Sequence, residues 1–339
     1  MSEFRQNLVT QEWVIIAPER GKKPTPLEAR SVKQVDDIPE YSPQCPFCVD
    51  NDEQFQIIET FRIDDQHERW LTRSIENRYK TLSTYPSCPV QPARFENDGI
   101  YMRYDGCGLH EVVVETSLHN KVIATMTQKD VEHIISIYLH RYNHFGENPN
   151  NLITIIFKNH GVQAGASQPH AHSQMVGSRV VPLNTRYLLS EAQRFFDKAG
   201  ICVMCEVLNY EFEEETRLIY QNGSFVGLIP YAANMPHETW IIPKIHQAGF
   251  NRIAEEEKRD LAEILRIILA KFYKAFHNPD FNYVIQSTPY PLSDVPFFHW
   301  YMRIVPRIKM PGGFEIGTRI HVNTVYPEES AEMLRECKV

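Results

Sequence analysis

Apolar residues recur at helical spacing in two places along this 339-residue chain. Val131, Ile134, Ile135, Tyr138 and Tyr142 share one face of a 3.6-residue repeat, with Thr127 and Asp130 spaced to cap its start. Leu261, Ile264, Leu265, Ile268, Leu269 and Phe272 draw the same stripe further on, longer and stronger. Each predicted helix follows a run of β-formers. The first run starts at His110-Glu111 and the second at His237-Glu238, and each ends in a histidine nine places later, His119 and His246. Each helix is followed by a strand-like segment, Leu152–Lys158 and Phe281–Gln286, and then by a second histidine-bearing strand, around His170 and around His299. Each set opens with a Cys-x-x-Cys pair, Cys45/Cys48 and Cys202/Cys205. Four similarities in one order predict an α+β chain built by internal duplication. The expected halves are residues 1–182 and 183–339, joined near Leu183–Gly200.

Composition changes this picture little. The chain is 42% hydrophobic and 23% charged, ordinary for a globular enzyme, and its net charge of −8 argues against a general nucleic-acid binder. The longest apolar stretches, such as Leu152–Phe157, fall far short of the ~20 residues a membrane span needs. The opening MSEFRQNLVT has neither the basic start nor the apolar run of a signal peptide, so a cytoplasmic protein is expected. Pro86–Pro92 and residues 50–55 read as surface loops, and Asn209–Glu215 as a loop or helix start.

In a cytoplasmic chain, Cys-x-x-Cys reads as metal or redox chemistry. Two thiolates on a tight turn suit a tetrahedral ion such as zinc. The internal repeat chooses their partners among 14 histidines. It groups Cys45, Cys48, His119 and His170 in one site, and Cys202, Cys205, His246 and His299 in the other. Four protein ligands leave no open position, so both sites are expected to be structural. A redox dithiol is the rival, but no thioredoxin-like order surrounds either pair. His110 and His237 also match in the repeat; they are expected to hydrogen-bond near the strand starts, and either is the reserve candidate for a ligand position. Cys88, Cys107 and Cys337 read as plain thiols.

Alternation along a strand puts His170, His172 and Gln174 on one face, with Ala171 and Ser173 on the other. With His170 taken by the metal, His172 remains beside an amide donor. A neutral imidazole attacks phosphorus and splits one displacement into two easier ones. The preceding loop, from Asn159 through Gly161 and Gly165 to Ser167, offers small residues for close backbone approach, together with an amide and a hydroxyl. Tyr301 and Arg303 stand where the repeat would place His172 and Gln174, which leaves one nucleophile per chain. The rival readings make His172 a packed core histidine, a ligand of an open hydrolytic zinc, or part of a non-catalytic, zinc-stabilised nucleotide-binding module.

These residues resemble the galactose-1-phosphate uridylyltransferase branch of the histidine-triad superfamily. The likeness is carried by Trp13–Pro24, Cys45-Pro46-Phe47-Cys48, Asn159–Gln174 and Gly313–Thr318. It implies two tandem histidine-triad-like half-barrels, antiparallel sheets with packed helices, and zinc at two sites, with iron the alternative at the second. It also implies that His172 carries the nucleotide, that Gln174, Ser167, Asn159 and Arg20 contact phosphate, and that Asn77 meets the nucleoside. Lys309 and Glu315 would hold the sugar, across a homodimer interface. The implied reaction passes UMP from UDP-glucose through His172 to galactose 1-phosphate. The chain departs from the family at Asn77-Arg78-Tyr79-Lys80-Thr81-Leu82, in the base-binding loop, and has Ala171 and Ser173 where Pro and Gly are common. Ser173 and the Gly312–Thr318 segment also resemble plant ADP-glucose phosphorylases, which carry AMP on the same histidine and pass it to phosphate. The expected partners are therefore a nucleotide sugar and either a sugar 1-phosphate or phosphate.

Overall fold

The computed structural model describes residues 1–22, 38–51, 55–62, 70–84, 96–98 and 100–339. The expected loop at Pro86–Pro92, residues 52–54 and Cys88 lie outside the described residues.

The chain opens with β1 (Glu3–Gln6), β2 (Trp13–Ile16), β3 (Ile57–Arg62), β4 (Trp70–Glu76), β5 (Glu96–Asp98), β6 (Tyr101–Arg103) and β7 (Gly108–Val114). Next come α1 (Gln128–Gly146), β8 (Ile153–His160), β9 (His172–Ser178), α2 (Leu183–Ala199) and α3 (Val203–Glu214). Then follow β10 (Leu218–Gln221), β11 (Phe225–Leu228), β12 (Thr239–Pro243), α4 (Glu255–Phe276), β13 (Phe281–Gln286) and β14 (Tyr301–Pro306). The chain closes with α5 (Gly313–Thr318), β15 (His321–Asn323) and α6 (Pro327–Glu336).

Both predicted amphipathic helices form, as α1 and α4. Thr127 Oγ1 accepts from Asp130 N–H, and Asp130 Oδ2 accepts from Thr127 N–H, so the capping pair closes as expected. Every stripe residue named above is buried. The two helices share one core with Val113, Ile156, Met175, Ile241, Tyr283, Met302 and Ile304 of the strands. Full burial of such a side chain is worth roughly 1.5–3 kcal/mol, so this shared core ties α1 to α4. Asn209–Glu215 is neither loop nor helix start: Asn209–Glu214 completes α3, and Glu215 caps its end at φ 54°. Among the described residues, no helix is long and apolar enough to cross a membrane.

The strands build a ten-stranded sheet in the order β10-β11-β12-β14-β13-β8-β9-β7-β4-β3. Its centre is the antiparallel pair β8 and β13, with Asn159 opposite Asn282. Reading outward from that pair, the order is β9, β7, β4, β3 on one side and β14, β12, β11, β10 on the other. Helices α1 and α4 lie on one face. The opposite face carries two smaller clusters, one holding Cys45, Cys48, Val112 and Val114 and one holding Cys202, Trp240 and Tyr301. The alternation predicted for β9 is the observed one: Ala171 and Met175 enter the helix-side core, so His172 and Gln174 point to the other face. A separate three-stranded sheet, β1-β2-β15, contains the parallel pair β2 and β15.

Candidate active site and metal centres

The structure brings together both predicted quartets. The ligand atoms of Cys45, Cys48, His119 and His170 lie within 4.8 Å of one another, as do those of Cys202, Cys205, His246 and His299. The first pair sits on a turn in which Cys48 N–H donates to Cys45 O, 3.3 Å, and the Asn51 amide donates to the carbonyls of Ser42 and Cys45. His170 Nε2–H donates to Thr116 O, 2.7 Å, which fixes the tautomer and leaves Nδ1 for an ion. His246 Nε2–H donates in the same way to Val295 O, 3.1 Å. Burial drives the His170 imidazole down to about 4 and pushes the Cys45 thiol up to about 11. A cation between them would offset that cost to the thiolate. His110 and His237 belong to neither quartet. The plain-thiol expectation is corrected at Cys107, which is disulfide-bonded; Cys337 is free.

His172 opens β9 and is 6% exposed. Its Nδ1–H donates to His170 O, 2.8 Å, so the lone pair sits on Nε2. Beneath its main chain, Lys158 Nζ donates to His172 O, 3.0 Å, and to Glu115 Oε2, 2.6 Å. Burial lowers the His172 pKa, and the Lys158 cation adds to the shift, so the ring is neutral near pH 7. The Phe47 ring of the Cys45/Cys48 turn lies 5.3 Å from the imidazole. The metal-side turn therefore packs directly on the histidine that would do the chemistry.

Gln174 and Asn159 each have their amide oxygen engaged. His110 Nδ1 accepts from Thr81 N–H, 3.1 Å, which leaves Nε2–H to donate to Gln174 Oε1, 2.9 Å. Asn77 Nδ2 stands 3.4 Å from the same oxygen, while Asn77 Oδ1 accepts from Tyr79 N–H. Asn159 Oδ1 accepts from Asn282 Nδ2, 2.7 Å. Both amide NH2 groups are thus left as donors. The loop after Asn159 needs its glycines: Gly161 has φ 82°, and a Cβ there would meet the Asp280 carboxylate at 2.0 Å. Ser167 is exposed on the same loop.

Lys309 and Glu315 meet elsewhere, and Arg20 stands apart from His172 in the chain's opening segment. Arg20 is exposed on a short 3-10 turn just after β2. Lys309 Nζ donates to Val322 O of β15, 3.0 Å, and pairs with Glu315 at 3.4 Å. Among the described residues, no hydrogen bond or ion pair joins these three to His172 or Gln174.

Two features escape a reading of the sequence. One is the His110–Gln174 bond: the repeat marks the strand-start histidine but not its target. The other is a one-residue offset in the repeat. Val112 lies opposite Gln174 and Trp240 opposite Arg303, so the place matching His110 is held by Glu238 rather than His237. Glu238 grips Arg303 with both carboxylate oxygens, at 2.7 and 3.0 Å, just as His110 holds Gln174. His237 sits in a turn at φ 60°, bonded to Ser330 and packed on Phe276. Tyr301, in the place of His172, is buried against Trp240.

The sequence profile of the galactose-1-phosphate uridyl transferase N-terminal domain matches residues 1–182, and that of the C-terminal domain matches residues 188–309. The chain belongs to the galactose-1-phosphate uridyl transferase family. Members of this family are nucleotidyl-transferring enzymes, and the chain is a nucleotidyltransferase of that type. It is 34% identical to an ADP-glucose phosphorylase of Arabidopsis thaliana, over 98% of this chain and 92% of the relative. It is 29% identical to a galactose-1-phosphate uridylyltransferase of Thermotoga maritima, over 100% of this chain and 99% of the relative. The fold superposes with a TM-score of 0.84 on the crystal structure of an ADP-glucose phosphorylase from Arabidopsis thaliana with bound ADP-glucose. That pair is 32% identical and covers 100% of this chain and 99% of the other.

Proposed function

We propose that the chain is a UDP-glucose:hexose-1-phosphate uridylyltransferase that works by double displacement through His172. The observation that carries this reading is the Nδ1–H bond to His170 O, which leaves a neutral Nε2 lone pair on the face shared with Gln174. Nε2 attacks the phosphorus of the uridylyl group, the bond to glucose 1-phosphate breaks, and UMP remains on His172. A phosphate oxygen of galactose 1-phosphate then attacks that phosphorus, UDP-galactose leaves, and the neutral imidazole returns. The positive charge gained by the ring on attack is spread by its bond to His170 O. Gln174, Asn159 and Ser167 donate to the equatorial oxygens, where such a transition state gathers charge. Arg20 meets the phosphates, Asn77 the nucleoside, and Lys309 with Glu315 the sugar. We place this pair at a homodimer interface, where it would serve the partner's site.

Zinc suits both quartets. Tetrahedral zinc, with bonds of about 2.3 Å to sulfur and about 2.0–2.1 Å to nitrogen, sets nitrogens about 3.3 Å apart and sulfur about 3.5 Å from nitrogen. The His119 and His170 Nδ1 atoms are 3.3 Å apart, and Cys–His separations run from 3.4 to 3.7 Å across the two sites. Bound zinc would stiffen the platform under His172. The matching strand order on either side of β8 and β13 favours two histidine-triad-like half-barrels, residues 1–182 and 183–339. We place the enzyme in the cytoplasm.

A second reading has its own support. The higher identity to the ADP-glucose phosphorylase favours an adenylyl group carried on the same histidine and passed to inorganic phosphate. Exchange of labelled glucose 1-phosphate into nucleotide sugar, with no second acceptor present, tests both. Label entering UDP-glucose supports the uridylyltransferase, and label entering ADP-glucose supports the phosphorylase. Net turnover without exchange would rule out double displacement.

A further inference from the structure

The C-terminal domain has no histidine at the place of His172, yet its strand β13 is built into the loop that follows β8. Asn282 Nδ2 donates to Asn159 Oδ1, 2.7 Å, and to Ala164 O in the loop, 2.8 Å. The Asn282 amide is itself oriented, because its Oδ1 accepts from Arg307 Nε. Two residues back, Asp280 Oδ2 accepts from Gln163 N–H, 2.6 Å, and its carboxylate occupies the space where a Cβ of residue 161 would stand. Asn278 Oδ1 then meets His160 Nε2, 2.8 Å. Asn278 and Asp280, just ahead of β13, and Asn282 within it thus all reach the end of β8 and its loop, and the antiparallel register puts Asn282 opposite Asn159.

Asn282 has a chemical consequence that packing alone does not. With Asn159 Oδ1 engaged as an acceptor, its Nδ2 is the end left to donate. A free asparagine side chain has no such preference, and a rotated amide would turn an oxygen toward a phosphate oxygen. The same Asn282 amide pins the loop through Ala164 O, so one group sets both the side-chain donor and the backbone beside it.

We infer that Asn282, held by Arg307, is a positioning residue for nucleotidyl transfer: it orients Asn159 and the 161–165 loop toward the phosphate, which makes the C-terminal domain a working part of the N-terminal active site. The inference rests on the double displacement through His172 proposed above. Asn282→Asp is the sharpest probe. It keeps size and the bond from Arg307, but its carboxylate can only accept, so the Asn159 amide turns to donate to it and presents its oxygen to the phosphate.

The test is the single-turnover rate of His172 labelling by UDP-glucose and by ADP-glucose, read by intact mass, for wild type, Asn282→Asp, Asn282→Ala, Asn159→Ala and the double variant Asn282→Asp/Asn159→Ala. Melting is followed for each, and Asn282→Asp keeps the test usable if Asn282→Ala folds poorly. Losing one preorganised donor costs on the order of 10²-fold in rate. The expected result is a fall of about 10- to 100-fold in the maximal rate for Asn282→Asp, with the half-saturating donor concentration changing less than about 3-fold. The double variant should then lose clearly less than the product of the two single losses, because Asn282 acts in part through Asn159. Wild-type labelling with Asn282→Asp at the wild-type rate overturns the inference. So do losses that multiply in the double variant, since these would mean a general structural role. No labelling of the wild type by either donor instead defeats the double-displacement reading, and the inference falls with it.

Discussion

Replacing Lys158 by methionine takes the cation from under His172 while keeping much of the side-chain volume. The lysine and Glu115 side chains are 1% and 0% exposed, and the Glu115 Oε2–Lys158 Nζ bond is 2.6 Å. Glu115 Oε1 has no hydrogen-bond partner among the described residues. The variant therefore strands a carboxylate away from water, and breaking one side of such a pair costs about 3–5 kcal/mol. It also strips the His172 carbonyl of its donor, which adds roughly 1–3 kcal/mol for an orphaned buried acceptor. A double variant, Lys158→Met/Glu115→Gln, removes both charges and should recover most of the stability lost to the stranded carboxylate. Urea unfolding of the metal-loaded protein, followed by fluorescence and circular dichroism, gives the stabilities. The expected sequence is wild type, then the double variant, then Lys158→Met. A loss below about 1 kcal/mol for Lys158→Met, or a double variant as unstable as the sum of its singles, would refute the reasoning.

Three further outcomes follow from the same structure. His110→Phe frees Gln174 Oε1, so kcat should fall about 10- to 100-fold with a smaller change in KM, measured by steady-state kinetics; equal losses in kcat for His110→Phe and for His110→Phe/Gln174→Ala would fit the bond, and multiplied losses would not. Burial pushes His237 down to about 4, so its neutral form is favoured in the folded state: its contribution is intact above pH ~6.5 and is lost between pH ~6.5 and ~4, at up to ~1.4 kcal/mol per pH unit. Denaturation at pH 7.5 and pH 5 should show a smaller acid loss for His237→Gln than for wild type, and equal losses would contradict the burial account. Stripping the metal with a chelator should release two zinc ions per chain, lower the melting temperature and slow His172 labelling, because Phe47 of the Cys45/Cys48 turn packs on the His172 ring; zinc analysis with parallel labelling checks this, and undiminished labelling after full metal loss would break the link.

The parts of the fold legible in the sequence are those with a period or a fixed spacing. The α1 and α4 stripes bury one face each, and that burial shapes the pattern of every third or fourth residue. The Cys-x-x-Cys pairs and their histidines stand out because two rounds of the same order restrict the choice. What stays hidden is set by contacts with no local signature. Asn282 and Asn159 are paired by the meeting of β8 and β13, which no spacing encodes. The Lys158–Glu115 pair looks in sequence like two ordinary surface charges. The His-Glu match fails by one residue because β7 runs through His110 and Glu111, whereas His237 turns at φ 60° and β12 begins only at Thr239. A one-residue shift exchanges the faces of a strand. Glu238, rather than His237, therefore comes to face Arg303.

The account stands most directly on a covalent bond between His172 and a nucleotide. Intact-mass spectrometry after brief exposure to UDP-glucose or to ADP-glucose, with wild type beside His172→Ala, measures that bond. The prediction is a UMP-sized gain from UDP-glucose, lost in the variant; an AMP-sized gain from ADP-glucose alone would keep the histidine and change the base. An unmodified wild type with both donors, while its zinc is in place and the substrates turn over, would contradict the central claim.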